Sequence, residues 1–443
     1  MLELTFLEGL QTYLTVNITI LHEVIQSIYC VSGGGVTMKN ISRWTGPGGS
    51  YRSIQRLFAS QIDWLGLNLY LIAYGYFGYI FSGDFLLAVD ETVERKSRTK
   101  TWGVCWFYSS IVDKPIRSVS FHAMSLVSVS LGKSFTLDVV QNIKEPKKAP
   151  TKKVKQAKSG RPKGSKDRNK EKSDGLIYKG FALLLGSVLP RLSKYLEVKY
   201  VVADGSYGNK TSCIIAQEHG LELISKLNKR TGLYLPYDGP YAGRGRRRKY
   251  GKKIDYDHLP SQNLVSSTSE EGIRENIYQF KQVWTKHIPY KINVVIITKT
   301  DLESGKTARS VLFSTCPELA ATTMKKYYRL RFQIEFDFRD AKQYFGLSDF
   351  KNVKERQLTN AVGIAFFMGN ISRILQKQAK QKWQTDQVSI QDIKAYFRGY
   401  KYAFSIFNTL KKDQNVIFNP IDFKDTLAIG AVSYTHLRAH ETP

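Results

Sequence analysis

Apolar residues recur at helical spacing through the first 80 residues, before any strand-like pattern appears. Within them, VTMKNISRWTGPGGSYRSIQRLFAS (36–60) predicts two short helices around a Gly/Pro turn, with Ser50 as the N-cap of the second. The apolar face of this second helix would consist of Ile54, Leu57 and Phe58. The pattern fits a helix-turn-helix that presents Arg52, Gln55 and Arg56 to DNA, and it fits an ordinary helical hairpin equally well.

From residue 85 the pattern changes to the short apolar runs and alternations that are typical of strands. FLLAVDET (85–92) is an apolar run that ends in acids, and two hairpin-like strands follow within 101–131. FTLDVVQNI (135–143) predicts a helix. Helices and strands then alternate, which is typical of an α/β fold: a helix over 176–196, a strand ending at Asp204, a helix over 211–220 and a strand over 221–228.

Residues 229–318 break this alternation and predict a β-rich insertion. They contain strand-like QFKQVWTK, YKINVVIITKT and RSVLFST, and a basic tract (244–253) in which seven of ten residues are Lys or Arg. Beyond residue 347 the apolar spacing is helical again.

The segment YYRLRFQIEFDFRDAKQYFGL (327–347) predicts one amphipathic helix with three distinct faces. Its apolar stripe, which should pack on the sheet, consists of Tyr327, Leu330, Ile334, Phe338, Ala341 and Phe345. At about 100° per residue, Tyr328, Arg331 and Lys342 fall on one polar ridge with Glu335. Asp337 and Asp340 project away from that ridge, and we expect them to be solvated partners of nearby arginines.

Two segments stand apart from these patterns. Residues 144–172 have 13 Lys and Arg against three acids and almost nothing apolar, so they predict a disordered loop. Within it, GRPKG (160–164) resembles the core of an AT-hook, with Arg161 in a narrow minor groove; a non-specific phosphate-binding tether is the alternative. Residues 431–443 resemble translated sequencing-adapter DNA, and we interpret them as a non-native tail.

The composition adds a partner class to this picture. The chain of 443 residues is 42% hydrophobic, which is typical of a globular protein of two or three domains. Its net charge of +28 predicts a polyanionic partner, with nucleic acid favoured over a membrane surface.

The cysteines and the apolar stretches bear on location. The four cysteines are scattered without a CxxC pair, so they predict neither a zinc site nor a disulfide framework and fit a reducing cytosol. No secretory signal pattern stands at the N-terminus. The uncharged stretch 64–83 contains Asn68, four tyrosines and four glycines, so we interpret it as a buried helix plus turn and not as a membrane span.

Two predicted strands end alike, since Asp90 closes FLLAVD and Asp204 closes YVVAD. Functional groups of an open α/β sheet gather at the carboxyl ends of its strands. If these strands are neighbours, the two carboxylates lie side by side, and a divalent cation is the usual way to keep both ionised. The alternative is that each Asp simply begins a turn.

The polar ridge has the form Tyr-x2-Arg-x3-Glu-x6-Lys, and this pattern resembles the signature of the IS4 group of insertion-sequence transposases. The resemblance extends over about 85–350 and includes DET at Asp90, DGSY at Asp204 and the insertion between the second and third acids. It implies an RNase H-like α/β core, a mixed five-stranded sheet with helices, interrupted by the β-rich insertion and flanked by N-terminal and C-terminal helical regions. The long basic loop departs from the short connection that is usual in this group.

The resemblance also implies the chemistry. Asp90, Asp204 and Glu335 would bind two Mg²⁺ ions, for which Mn²⁺ can substitute, and Tyr328, Arg331 and Lys342 would hold phosphates near the scissile bond. The expected partners are double-stranded DNA, as terminal repeats and as target, and a second copy of the chain in a paired-end complex, without a membrane. The expected location is the bacterial cytoplasm, with the nucleoid.

Further DNA contacts are predicted in the insertion. The basic cluster could follow an element end or serve solubility alone, and it consists of Arg246, Arg247, Arg248 and Lys249. Trp284 could stack on a flipped base, although a core position is the simpler interpretation. No histidine falls into a ligand or triad pattern with the acids.

These expectations define a transposase that cuts element ends and joins the 3′-hydroxyl to target DNA. Two alternatives are a catalytically silent DNA-binding protein derived from a transposase and an RNase H-like nuclease without strand transfer. The predicted domains are a helical DNA-binding region (1–82), the first part of the core (83–228), the insertion (229–318), the catalytic helix (319–350), a helical region (351–430) and the tail.

Overall fold

The computed structural model describes residues 4–14, 18–45, 49–97, 99–109, 111–144, 170–241 and 243–412. Arg161 and almost all of the basic segment 144–172 lie outside the described residues, as does the tail 431–443.

The strands form one continuous mixed sheet. Their bounds are β1 Phe85–Arg95, β2 Cys105–Ser109, β3 Lys114–Ser128, β4 Lys133–Asn142, β5 Tyr200–Ala203, β6 Glu222–Leu227, β7 Leu233–Pro236, β8 Tyr250–Lys253, β9 Leu264–Glu270, β10 Ile273–Thr285, β11 Ile288–Asp301 and β12 Thr307–Ser314. In the described part of the chain their order is β2-β3-β1-β5-β6-β12-β11-β10-β7-β8, with β4 paired to β3 and β9 paired to β10.

Five of these strands form the part of the sheet that carries the acids. β3 pairs antiparallel with both β1 and β4, and β5 pairs parallel with both β1 and β6. The prediction of a mixed α/β architecture is therefore confirmed. The prediction of a helix over 135–143 was wrong, because residues 135–142 lie in β4. The alternation of Phe135, Leu137 and Val139 has the two-residue period of a strand, and β4 pairs with β3, the strand directly before it in the chain.

The strands of residues 229–318 extend this same sheet. β12 pairs antiparallel with β6, so that Val311 stands opposite Leu227. β11 and β10 continue outward from β12, and the short β7 and β8 form the far edge. The insertion thus adds strands beyond β6 and builds no separate sheet in the described residues.

The helices cover both faces of the sheet. Their bounds are α1 Ile18–Cys30, α2 Met38–Ile41, α3 Tyr51–Ala59, α4 Trp64–Tyr70, α5 Lys170–Leu192, α6 Lys210–Glu218, α7 Ala321–Leu330, α8 Gln333–Tyr344, α9 Glu355–Trp383 and α10 Ile390–Lys412, with 3₁₀ helices at Thr5–Tyr13, Gly205–Tyr207 and Ser261–Asn263 and a π-helix at Leu71–Tyr76. α5 and α8 pack on opposite faces of β3. A Cβ on Gly180 of α5 would lie 2.2 Å from His122 Nδ1, whereas Asp337 of α8 accepts a hydrogen bond from Ser125.

The N-terminal and C-terminal helical regions pack together on the α8 face. Trp64 Nε1 donates to Asn360 Oδ1 at 3.0 Å, and Asn370 Nδ2 donates to the carbonyl of Thr136 at 2.8 Å. The described residues contain two helices, Gly175–Leu192 and Glu355–Trp383, that are apolar and long enough to span a membrane. In the second, 89% of the most apolar window is buried inside the protein, as in a core helix. The stretch 64–83 begins with a buried helix, which confirms the predicted helix at its start.

Candidate active site

Three of the predicted acids line one cleft at the edge of the sheet. Its volume is about 760 Å³, and Asp90, Asp204 and Glu335 all contribute to its wall. Val89 of β1 stands opposite Ala203 of β5 in parallel register, so an aspartate comes next in each segment. Asp204 follows the end of β5, but the expectation that Asp90 closes its strand was wrong, because β1 continues to Arg95. The third acid reaches the cleft from α8.

Local structure fixes the two aspartates. Asp204 caps the 3₁₀ turn Gly205–Tyr207, and its Oδ1 accepts a hydrogen bond from the amide of Ser206 at 2.9 Å. Asp90 Oδ1 accepts one from the amide of Glu91 at 2.8 Å. Each carboxylate keeps a second oxygen for other partners, so the backbone orients both acids without occupying them.

The segment 327–347, which was predicted as one helix, forms two helices with a turn between them next to the cleft. α7 ends at Leu330 and α8 begins at Gln333, so Arg331 and Phe332 form a turn between them. From this turn Arg331 Nη1 donates to Asp90 Oδ2 at 2.7 Å, and Arg331 Nη2 donates to Glu335 Oε1 at 3.0 Å. The guanidinium therefore joins the first acid to the third.

The electrostatics of the cleft show how crowded the negative charges are. The pKa of Asp90 is raised to about 6, above all by burial and also by the charges of Asp204 and Glu335, against the opposing effect of Arg331. The Asp90 side chain is only 18% exposed, so solvent screens these interactions weakly. A positive charge next to Asp90 therefore favours its ionised form.

The chemistry of these donors fits a hard divalent cation, because all three are carboxylates facing one cleft. In the described residues, no group of three or more His, Cys, Asp or Glu side chains stands ready around a single ion position. Arg331 supplies the counter-charge between Asp90 and Glu335 in this conformation. Coordination by all three acids would therefore require Arg331 to release them.

The other two residues of the predicted ridge have different surroundings. Lys342 lines the cleft, and its Nζ forms an ion pair with Glu94 at 2.8 Å. Tyr328 lines a neighbouring cavity with Lys325 and Arg329, and burial raises its pKa. The ridge is thus divided between two cavities, with Arg331 close to the Tyr328 ring at 5.9 Å.

The expectation that Asp337 and Asp340 are solvated was wrong, because both are buried, at 4% and 8% exposure. Asp337 accepts hydrogen bonds from Ser125 and Ser134, each at 2.8 Å, and forms an ion pair with Arg373 of α9. α9 covers this face of α8. The helical phase of α8 alone cannot reveal a helix that packs against it from elsewhere in the chain.

A cluster of polar side chains lies on the face of β1 opposite Asp90, with His122 buried and Glu91 partly buried, and sequence reasoning gave it no role. Glu91 accepts hydrogen bonds from Ser120 and from Asn142, the latter at 3.1 Å. His122 stands opposite Glu91 in the β1–β3 register, and burial lowers its pKa. The hydroxyl of Tyr207 is buried and has no hydrogen-bond partner among the described residues. DGSY pointed to Tyr207, whereas no sequence signal singles out His122.

The insertion holds its basic cluster on aromatic rings. Arg247 lies over Tyr241 at 5.3 Å and Arg248 over Tyr237 at 5.1 Å. Lys249 Nζ stands 3.6 Å from the centre of the Trp284 ring. Trp284 is only partly buried, so the simpler expectation of a core position was wrong. Its ring instead supports a cation on the surface of β10.

The N-terminal helical pair has the predicted cap and apolar face. Ser50 Oγ accepts a hydrogen bond from the amide of Ser53 at 3.2 Å, which confirms it as the N-cap of α3. The predicted apolar residues of α3 are all buried: Ile54, Leu57 and Phe58. Arg52 and Arg56 are exposed. This geometry is compatible with DNA contact and does not by itself require it.

We expect the stability of Asp90→Asn, measured relative to the wild type, to increase as the pH rises from acid to neutral. The raised pKa means that the folded wild type holds the Asp90 proton more tightly than the unfolded chain does. The cost of ionising Asp90 is therefore absent below the unfolded pKa of 3.8 and complete above a pH of about 6. Asparagine has no such cost, so the difference in the free energy of unfolding should change by on the order of 1–3 kcal/mol.

Urea denaturation of both proteins in metal-free buffer measures this change. Asp113→Asn, at an exposed turn, is the control and should show no comparable change. The same difference between Asp90→Asn and wild type at acid and neutral pH would contradict a raised pKa.

A family model described as "DDE superfamily endonuclease" matches residues 23–283, which include Asp90 and Asp204 and end before Glu335. No curated protein matches the sequence. Among solved structures, the chain is similar to a piggyBac transposase in a cryo-EM synaptic complex with hairpin DNA, at 12% identity and a TM-score of 0.37, with 93% of this chain and 76% of that chain covered.

Proposed function

This chain belongs to the DDE superfamily endonuclease family, and we propose that it is a DNA transposase of the IS4 group. It would cut DNA at the ends of an insertion sequence and join the resulting 3′-hydroxyl to target DNA. The observation that carries this proposal is the convergence of Asp90, Asp204 and Glu335 on one cleft. The strand order β4-β3-β1-β5-β6 supports the RNase H-like core that the proposal requires.

The three acids would hold two Mg²⁺ ions, or Mn²⁺ in their place. When bound, such ions activate a water or 3′-hydroxyl and stabilise the leaving oxygen of an in-line displacement. The protein's own part begins with Arg331, which bonds both Asp90 and Glu335 and must leave them before they can serve as ligands. A DNA phosphate is a suitable acceptor for the released guanidinium, since Arg binds phosphate with paired hydrogen bonds.

Tyr328 and Lys342 would position the phosphates that flank the scissile bond. Lys342 is already held at the cleft by Glu94, and Glu94 is fixed by a hydrogen bond from Ser348 at 2.8 Å. This support limits the number of positions that the ammonium group can take. Phosphate binding would exchange part of the Lys342–Glu94 attraction for a contact with DNA.

The proposal extends to the organisation of the protein. We assign residues 1–82 to DNA binding, 83–228 and 319–350 to the catalytic core, 229–318 to the β-rich insertion and 351–430 to a helical region. The partners are double-stranded DNA and a second copy of the chain, because two ends must be brought together. The place of action is the bacterial cytoplasm, with the nucleoid.

Replacing Arg246, Arg247 and Arg248 by Ala should weaken DNA binding and flatten its dependence on salt. Each lost phosphate contact reduces the slope of log K against log salt concentration by about 0.9, so the triple variant should lose up to roughly three. Fluorescence anisotropy with a labelled duplex at several salt concentrations measures the slope. Lys306→Ala, at an exposed turn elsewhere in the insertion, should leave it nearly unchanged; an unaltered slope in the triple variant would remove the cluster from the interface.

The test of the function uses inverted repeats, which the proposal places in the DNA on both sides of the reading frame. Purified protein is incubated with a duplex carrying one repeat and with target plasmid, in Mg²⁺ or in EDTA. A 3′-hydroxyl at the repeat end and its covalent joining to the plasmid are the expected products. Cleavage without joining would favour a nuclease, and repeat binding without cleavage would favour a silent DNA-binding protein.

A further inference from the structure

The segment 102–112 exposes an unusual amount of apolar surface. Ile111 is 88% exposed, and Trp106 and Tyr108 are each 58% exposed. Trp102 and Val112 are also exposed. Such a cluster on a soluble protein marks a contact surface more often than single exposed apolar residues do.

The strand geometry explains why these side chains face outward. Trp106 and Tyr108 lie two residues apart on β2, so they share one face, while Phe107 and Ser109 are buried on the other. The Tyr108 hydroxyl bonds the Asp113 carboxylate, and Arg117 lies 5.8 Å from the Trp106 ring. The first contact holds the Tyr108 ring at its edge, and the second places a cation over one side of the Trp106 ring. Both side chains remain 58% exposed.

This exposed face is continuous with the candidate active site. Tyr108, Ser109 and Ile111 line the same cleft as Asp90, Asp204 and Glu335. A molecule that reaches the acids from this side must therefore pass the aromatic face of β2. The strand is short and pairs with β3 alone among the described strands, so it projects from the sheet beside the cleft.

The charges around the rings identify the class of partner. Arg117 stands opposite Trp106, Pro115 opposite Tyr108, and Lys114 opposite Ser109. Lys114 and Arg117 are exposed. Arg117 therefore shares the face of the two rings, whereas Lys114 lies on the other face at the end of the hairpin. A cation beside aromatic rings fits a nucleic acid strand, since the cation attracts phosphates and the rings stack on bases.

We propose that Trp106, Tyr108 and Ile111 form a stacking surface for unpaired bases of the DNA strand that enters the cleft. Residues two apart on a strand are about 7 Å apart, about twice the 3.4 Å spacing of successive bases. Two neighbouring rings at that separation can hold one base between them. This inference rests on the proposed function, and it adds that the DNA end is melted next to the acids.

The test is DNA binding without divalent ions, so that it does not depend on cleavage. The probes are a labelled blunt duplex and the same duplex with a short tail of unpaired thymines at one 3′ end. Stacking of one base is expected to favour the tailed duplex roughly tenfold in the wild type. The double variant Trp106→Ala/Tyr108→Ala should bind both probes equally, and Trp106→Phe/Tyr108→Phe should restore the preference.

Phe404→Ala, which removes a half-exposed ring from α10, is the control and should keep the preference for the tail. Circular dichroism verifies that each variant is folded. Equal binding of both probes by the wild type, or a tail preference that survives in the double alanine variant, would overturn the inference. A change of the double variant from dimer to monomer without DNA would also overturn it and would make this face a contact between copies of the chain.

The two proposals fail separately in these experiments. Tail preference without cleavage of the repeats would leave the stacking surface in place and remove the transposase assignment. Cleavage of the repeats without tail preference would support the transposase assignment and remove the stacking surface.

Discussion

Glu335→Gln is expected to lower divalent-ion-dependent cleavage of the terminal repeats by at least about a thousandfold. Glutamine keeps the size of the side chain and can still accept a hydrogen bond from Arg331, which the carboxylate accepts at 3.0 Å in the wild type. It cannot supply the negative charge that a Mg²⁺ ligand provides. DNA binding and the free energy of unfolding should therefore change little. Cleavage assays, anisotropy and urea denaturation on the same preparations separate these quantities.

Two further variants make the assignment of Glu335 falsifiable. Glu318→Gln changes a surface acid whose side chain is 78% exposed, and it should keep full activity. Glu91 lines the same cleft on β1 and is the nearest rival as the third acid. Its carboxylate is held by Ser120 and Asn142 on the other face of the strand, so Glu91→Gln should affect activity far less than Glu335→Gln. The reverse order of the two effects would replace Glu335 by Glu91.

Asp90 and Asp204 were predictable because their signal is local. An apolar run followed by an acid marks the buried part of a strand and the point where it meets the cleft, which is the end of β5 but the middle of β1. The parallel pairing of β1 and β5 then brings Asp90 and Asp204 together. The prediction of Glu335 depended on the helical phase of a longer segment, and that phase is correct within α8.

The counter-charge and the supporting contacts were not predictable in the same way. Nothing in the periodicity of 327–347 marks a break, yet the turn at Arg331 directs its guanidinium to both Asp90 and Glu335. The helix prediction for β4 was wrong for another reason: its two-residue alternation is present in the sequence and its partner β3 is adjacent in the chain, so the period was misassigned. The contacts of Arg331, in contrast, involve Asp90, which is distant in sequence, and a local pattern does not contain them.

Arg373→Met is expected to lower the free energy of unfolding by about 3–5 kcal/mol, because it leaves the carboxylate of Asp337 buried without its counter-charge. The side chains of Asp337 and Arg373 are only 2% and 11% exposed, so water cannot replace the lost partner. Burial raises the pKa of Asp337 even in the wild type, and loss of Arg373 should raise it further. Since a protonated Asp337 needs no counter-charge, the defect should shrink as the pH falls through the pKa of the folded variant.

The chain offers a matched control on α8, the helix that carries Asp337. Arg339 pairs with Asp340 at 3.0 Å, but the Arg339 side chain is 57% exposed, so Arg339→Met should cost less than about 1 kcal/mol. The double variant Asp337→Leu/Arg373→Met removes both charges and should be less destabilised than Arg373→Met alone, although Ser125 and Ser134 lose an acceptor. Urea denaturation of the four proteins, at acid and neutral pH, measures these differences. Equal losses in Arg373→Met and Arg339→Met would mean that the buried pair does not fix α8, and with it Glu335, against α9 and the sheet.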